Sequence, residues 1–249
     1  MNSPVLSKLG FGGYQIGRIP SDKYASAGSS LPTDEEAEQL LGGVLDCGIT
    51  LIDTAPAYGI SEERIGKFIS HRRSEYILSS KVGERVDGSF DFSFKGMAAS
   101  VEQSLKALKT DHLDYLLIHA PPDDLALLTD SDAVEFMCDA KQNGLATHIG
   151  FSGKTIEAQM HALQWSDVMM IEYSHANQSQ EDVILAAHEL NTIVLVKKAL
   201  NSGHLDPQDA IQFLLCDSPA KDSIASIVIG SKSLPRMEEN QQRFTTLAP

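Results

Sequence analysis

Asp114-Tyr115-Leu116-Leu117-Ile118, closed by His119, is a near-continuous apolar run that ends in an ionisable side chain. A strand buried on both faces reads this way, and such strands belong to parallel sheets covered by helices. Thr192-Ile193-Val194-Leu195-Val196 repeats the pattern. Working outward from these two, at 113–118 and 192–196, the sequence predicts further strands at 9–12, 49–53, 75–80, 147–151, 167–171 and 225–229. Amphipathic stretches lie between them at 34–46, 62–71, 98–109, 131–142, 155–163, 179–190, 206–216 and 233–243. Thr33 followed by Glu36 reads as a capping box, and Val101, Leu105 and Leu108 share one helical face. Eight strands alternating with eight helices predict an α/β fold, a closed (β/α)8 TIM barrel with parallel strands and outer helices. The Ser/Ala/Gly-rich stretch Pro20–Pro32 reads as a loop after the first strand, Asp123-Asp124 after Pro121-Pro122 reads as a solvated loop, and Trp165 is left open between the barrel face and a place beneath a helix.

At 249 residues the chain fits one barrel domain, 1–249, and its 42% hydrophobic content supplies a core. A formal charge of -14 argues against a nucleic-acid surface, which needs clustered Lys and Arg. It leaves room for a local positive pocket. Three dispersed cysteines (Cys47, Cys138, Cys216) read as reduced thiols of a cytoplasmic protein. No apolar run approaches the ~20 residues of a membrane span. The eight His offer no tight metal-ligand spacing, so no metal is expected. Oligomeric state is left open.

In such barrels the chemistry gathers at the C-terminal ends of the strands. There the second strand ends in Asp53, followed five residues later by Tyr58, the third leads into Lys81 and the fourth into His119. Taken singly, each has an ordinary reading: a loop cap, a packing ring, a surface charge, a structural imidazole. Together they place a carboxylate, a phenol, an ammonium and an imidazole at one mouth. A phenol titrates near 10. An ammonium ~4 Å away favours the phenolate by up to ~3 pKa units at an effective dielectric of 20, with desolvation opposing. Asp53 would neutralise Lys81, and His119, as the neutral ring, would hold a substrate oxygen that Tyr58 protonates.

Here the sequence resembles the aldo-keto reductase family. The resemblance rests on Leu9-Gly-Phe-Gly-Gly13, on Gly48-Ile-Thr-Leu-Ile-Asp-Thr-Ala-Pro-Ala-Tyr-Gly59 with Glu62 following, and on Ser80-Lys81. It continues through Ser104-Leu-Lys-Ala-Leu108, Asp114–His119 and Ile149-Gly-Phe-Ser152, and spans residues 5–243. It implies reduction of an aldehyde or ketone with hydride from NAD(P)H, Tyr58 as general acid, Asp53 and Lys81 tuning it, and His119 orienting the carbonyl.

The resemblance also implies a cofactor site. Ser152 would hold the nicotinamide end. Leu200, Ser202 and Gly203 would cradle the pyrophosphate. Gly230, Lys232, Ser233, Arg236, Glu239 and Asn240 would form the adenine end. Ser233 would cap the last helix, whose N–H groups favour an anion. Lys232 and Arg236 suit a 2′-phosphate, which favours NADPH over NADH. The sequence departs from the family at Gly153, Met170 and Lys197, all near the nicotinamide. The alternatives are an NADPH-binding regulatory protein with little or no turnover, and a Schiff-base aldolase using Lys81, Lys197 or Lys198.

Overall fold

The computed structural model describes residues 4–18 and 30–247; residues 20–29 of the expected Pro20–Pro32 loop lie outside them. Eight parallel strands close into a barrel in sequence order. They are β1 (Leu9–Gly12), β2 (Leu51–Asp53), β3 (Ile77–Val82), β4 (Leu113–His119), β5 (Ala146–Ser152), β6 (Val168–Glu172), β7 (Ile193–Lys197) and β8 (Ser226–Ile229). The helices are α1 (Tyr14–Gly17), α2 (Asp34–Asp46), α3 (Ser61–Phe68), α4 (Phe94–Leu108), α5 (Asp124–Asp130), α6 (Ala133–Gln142), α7 (Ile156–Ala162), α8 (Glu181–Glu189), α9 (Pro207–Gln212) and α10 (Leu234–Leu247). The TIM barrel read from the sequence is the fold observed.

The two-residue period of the strands sorts the apolar residues into two cores. Leu51, Ile77, Tyr115, Leu117, Val168, Met170 and Leu195 fill the barrel. Ile52, Leu78, Leu116, Ile118, Met169, Val194 and Val196 point outward and pack under the helices. Helix α2 meets them with Ala37, Leu40, Leu41, Val44 and Leu45, the i, i+3, i+4 stripe of an amphipathic helix. Each fully buried leucine there contributes about 1.5–3 kcal/mol. Thr33 and Glu36 form the expected capping box.

Three expectations needed correction. Strand β3 runs two residues further than read, so Lys81 lies inside it and not beyond its end. Asp124 is not a solvated loop residue: it is buried and accepts the N–H groups of Lys154 (2.6 Å) and Thr155 (3.0 Å) and the Thr155 hydroxyl (2.7 Å). It thereby ties α5, a helix not expected, to the loop after β5. Residues 206–216 form α9 followed by a π-turn, Phe213–Asp217, and not one helix. Trp165, whose environment was open, packs against the outer core.

Candidate active site

The alternation that fills the barrel also builds its mouth. On β2, β3 and β4 the inward positions are apolar below, at Leu51, Ile77, Tyr115 and Leu117, and polar above, at Asp53, Ser79, Lys81 and His119. Lys81 Nζ donates to both Asp53 oxygens (2.8 and 2.7 Å) and to the Thr54 carbonyl (2.9 Å); Ser79 Oγ also donates to Asp53 (2.8 Å). Lys81 is only 1% and Asp53 3% exposed. Burial by itself would push Lys81 down, but the Asp53 charge, with Tyr58 and the hydrogen bonds, outweighs it and holds the ammonium above its usual range.

Tyr58 arrives on a 3-10 turn, Pro56–Tyr58, started by proline. Two glycines bring this turn against α1. Gly59 has φ +62, and a Cβ there would lie 2.3 Å from the Gly17 oxygen; a Cβ on Gly17 would lie 2.1 Å from the Tyr58 oxygen. Only residues without a side chain allow this approach. The ring stands edge-on to Tyr14 (centroids 5.3 Å) and to His119 (5.9 Å), with Lys81 Nζ 4.8 Å from its centre. Desolvation pushes the Tyr58 hydroxyl above its ordinary value and outweighs Lys81, which pulls the other way. The phenol therefore stays protonated, so the depression that Lys81 alone would produce is not the net effect.

His119 ends β4, and its Nδ1 lies 3.0 Å from Glu84 Oε2. Nδ1 makes no regular hydrogen bond, but this close approach of the carboxylate favours a proton on the ring. Glu84 also lies 3.6 Å from Arg18, whose guanidinium donates to the Ala57 carbonyl (3.0 Å). Neither Glu84 nor Arg18 was singled out from the sequence. The signal for Glu84 was a carboxylate two residues past β3, just after Gly83 with its φ of +108.

On the neighbouring strand β5, Ser152 pairs in register with His119. Its hydroxyl accepts a hydrogen bond from Lys197 Nζ (2.9 Å), which also donates to the Gly153 carbonyl (2.9 Å). Desolvation, then the charges of Lys198 and Lys81, lower Lys197 to about 7. Lys198 is tied to Glu172 (2.5 Å). Met170 belongs to the barrel core.

The residues read as a cofactor site lie around the ends of β7 and β8. Leu200 precedes a turn, Asn201–Gly203, in which Ser202 and Gly203 have φ +59 and +90. Among the described residues nothing lies within 4 Å of where a Gly203 Cβ would be. Gly230 follows β8, where a Cβ would come 3.1 Å from the Gly12 oxygen. Ser233 precedes α10, and its carbonyl takes the N–H of Met237 (3.2 Å). Arg236 is exposed on the first turn of α10; Lys232 donates to the Ser30 carbonyl (3.0 Å). Glu239 and Asn240 both bind Arg243. An open glycine turn, a helix N-terminus and exposed cations together suit a phosphorylated dinucleotide.

Residues 8–247 match the model of the aldo/keto reductase family. The chain belongs to the aldo/keto reductase family. Among relatives of this reductase is a D-threo-aldose 1-dehydrogenase from Pseudomonas sp, 28% identical over 81% of this chain and 68% of that one. The aldo-keto reductase YhdN of Bacillus subtilis is 34% identical over 61% of this chain, a match spanning half of YhdN. A solved putative aldo-keto reductase from Pseudomonas aeruginosa superposes with a TM-score of 0.87 at 35% identity, covering 97% of this chain and 91% of that one. As an aldo/keto reductase this chain is an oxidoreductase of the carbonyl-reducing kind. Among its described residues no helix is long and apolar enough to cross a membrane, and no cluster of His, Cys, Asp or Glu is suited to a metal.

Proposed function

We propose that this protein is an NADPH-preferring reductase that converts a small aldehyde or ketone to its alcohol. The observation that carries this reading is the Lys81 ammonium, clamped by Asp53 and set 4.8 Å from the Tyr58 ring centre, beside His119. A nicotinamide cofactor, when bound, supplies the hydride. Tyr58 then gives its proton to the carbonyl oxygen as negative charge develops there. Burial keeps that proton on Tyr58 until it is needed, and the ammonium stabilises the phenolate left behind. Asp53 keeps Lys81 charged, and His119 orients the oxygen. Ser152 would border the nicotinamide end. Leu200, Ser202 and Gly203 would hold the pyrophosphate, with Gly230, Glu239 and Asn240 at the adenine end. Lys232, Ser233 and Arg236 at the start of α10 favour a 2′-phosphate, hence NADPH over NADH.

Tyr58→Phe tests the reading: turnover of an aldehyde should fall by about 10²–10⁴, while NADPH binding measured by calorimetry is kept. Full activity in this variant would sink it. Because the Ser152 hydroxyl is already engaged by Lys197, NADPH binding without turnover of any aldehyde or ketone in a panel would favour the regulatory reading instead.

A further inference from the structure

Past β3 the chain leaves the barrel through Gly83-Glu84-Arg85 and turns back on itself. Arg85 donates to the Ser89 carbonyl (2.9 Å), Gly88 closes on Arg85 (2.9 Å), and Glu84 bridges antiparallel to Phe90. Gly83 permits the exit, since a Cβ there would meet the Phe92 ring at 2.0 Å. This small hairpin holds the Glu84 carboxylate at the rim, 3.0 Å from His119 Nδ1. Arg18, 3.6 Å away on the other side, helps keep it there.

Nδ1 is buried, and among the described residues no hydrogen-bond partner satisfies it. A carboxylate oxygen can only accept, so a bare Nδ1 facing it would set two lone pairs against each other. The proton therefore belongs on Nδ1. In a neutral imidazole that leaves the other nitrogen, Nε2, without one. It can accept a hydrogen bond but cannot give one.

We infer that Glu84 is a positioning residue that holds His119 in its Nδ1–H form, making the ring's donation to a carbonyl oxygen depend on a second proton. The inference rests on the reductase reading for His119's role and deepens it. The imidazolium donates through Nε2 and draws the carbonyl oxygen in; the neutral ring accepts from an alcohol hydroxyl. Lowering the pH thus favours carbonyl reduction at His119, and raising it favours alcohol oxidation.

The charges around the ring support this division. Lys81 from β3 and Lys197 from β7 disfavour the second proton, Tyr58 packs against the ring edge, and Asp53 is engaged with Lys81. Burial, with those two lysines, lowers His119 below its ordinary value, and Glu84 acts in the opposite direction. Glu84 is itself held low, first by its contact with His119 and then by the His119, Arg18 and Lys154 charges. It is therefore ionised at neutral pH.

Two measurements test the inference. Nitrogen-15 NMR of the wild-type protein with labelled histidine should show the His119 signals of an Nδ1–H, Nε2-bare ring at alkaline pH. The pH profile of kcat/KM for aldehyde reduction should have an alkaline limb that moves to lower pH by about one unit in Glu84→Gln, with the acid plateau kept, because the amide oxygen still faces Nδ1 without supplying a charge. An Nε2–H ring in the wild type, or superimposable profiles, would overturn it. If the wild type turned over no carbonyl compound, the reductase reading would fail, and the NMR spectrum alone would decide whether Glu84 holds the proton.

Discussion

Lys81 Nζ lies 2.7 and 2.8 Å from the two carboxylate oxygens of Asp53, with both side chains out of water. Removing one partner from such a pair leaves an uncompensated buried charge. Asp53→Asn should lower the unfolding free energy by about 3–5 kcal/mol in urea melts, and adding Lys81→Met should recover part of that loss. If the single variant loses under ~1 kcal/mol, the range of an exposed pair, the pair is not desolvated in solution.

Glu62 makes the pH dependence of stability testable away from the mouth. On α3 it is buried behind β3 and accepts hydrogen bonds from Ser80 (2.6 Å) and Ser104 (3.0 Å), and burial raises it to about 7. Between its ordinary value of 4.5 and about 7 the folded protein keeps the proton while the unfolded chain loses it. Stability thus falls as pH rises through that window, by on the order of 3 kcal/mol, and is level beyond it. Glu62→Gln should raise Tm at pH 8 by about 6–12 °C and change it little at pH 4.5. Equal changes at the two pH values would show that Glu62 does not titrate this way.

Lys197, near 7, carries its charge in acid and sheds it in base. A cation beside Ser152 opposes the positive ring of NADP+ but not the neutral ring of NADPH. Calorimetry should find the preference for NADPH over NADP+ shrinking from pH 6 to pH 8 in the wild type. In Lys197→Met it should be smaller and flat. A preference independent of pH in the wild type would place the ring away from Lys197.

Arg236, exposed at the start of α10, is expected to read the 2′-phosphate. Arg236→Ala should weaken NADPH binding by 10-fold or more, on the order of 1.4 kcal/mol, and leave NADH nearly unchanged. Equal weakening of both would remove the reason for preferring NADPH.

Strand period and helix stripe were written locally, and so the sequence alone determined the eight alternating units and the four residues gathered at the mouth by β2, β3 and β4. An inward position recurs every second residue, whichever barrel surrounds it. That is why Asp53, Lys81 and His119 could be placed together before any distance was known. What the tertiary structure decided was which charges meet between strands. Glu84 belongs to no periodic pattern, and only the hairpin after β3 brings it to His119. Lys197 read only as a departure from the family near the nicotinamide until closure of the barrel set it against Ser152 on β5, 45 residues earlier. Asp124 looked like one of two solvated acids, and only the fold presses it onto Lys154 and Thr155. Tyr58 shows the same division: its place followed from the motif, but the direction of its pKa did not. That direction is a balance between desolvation and Lys81, and burial is a property of the whole packed chain.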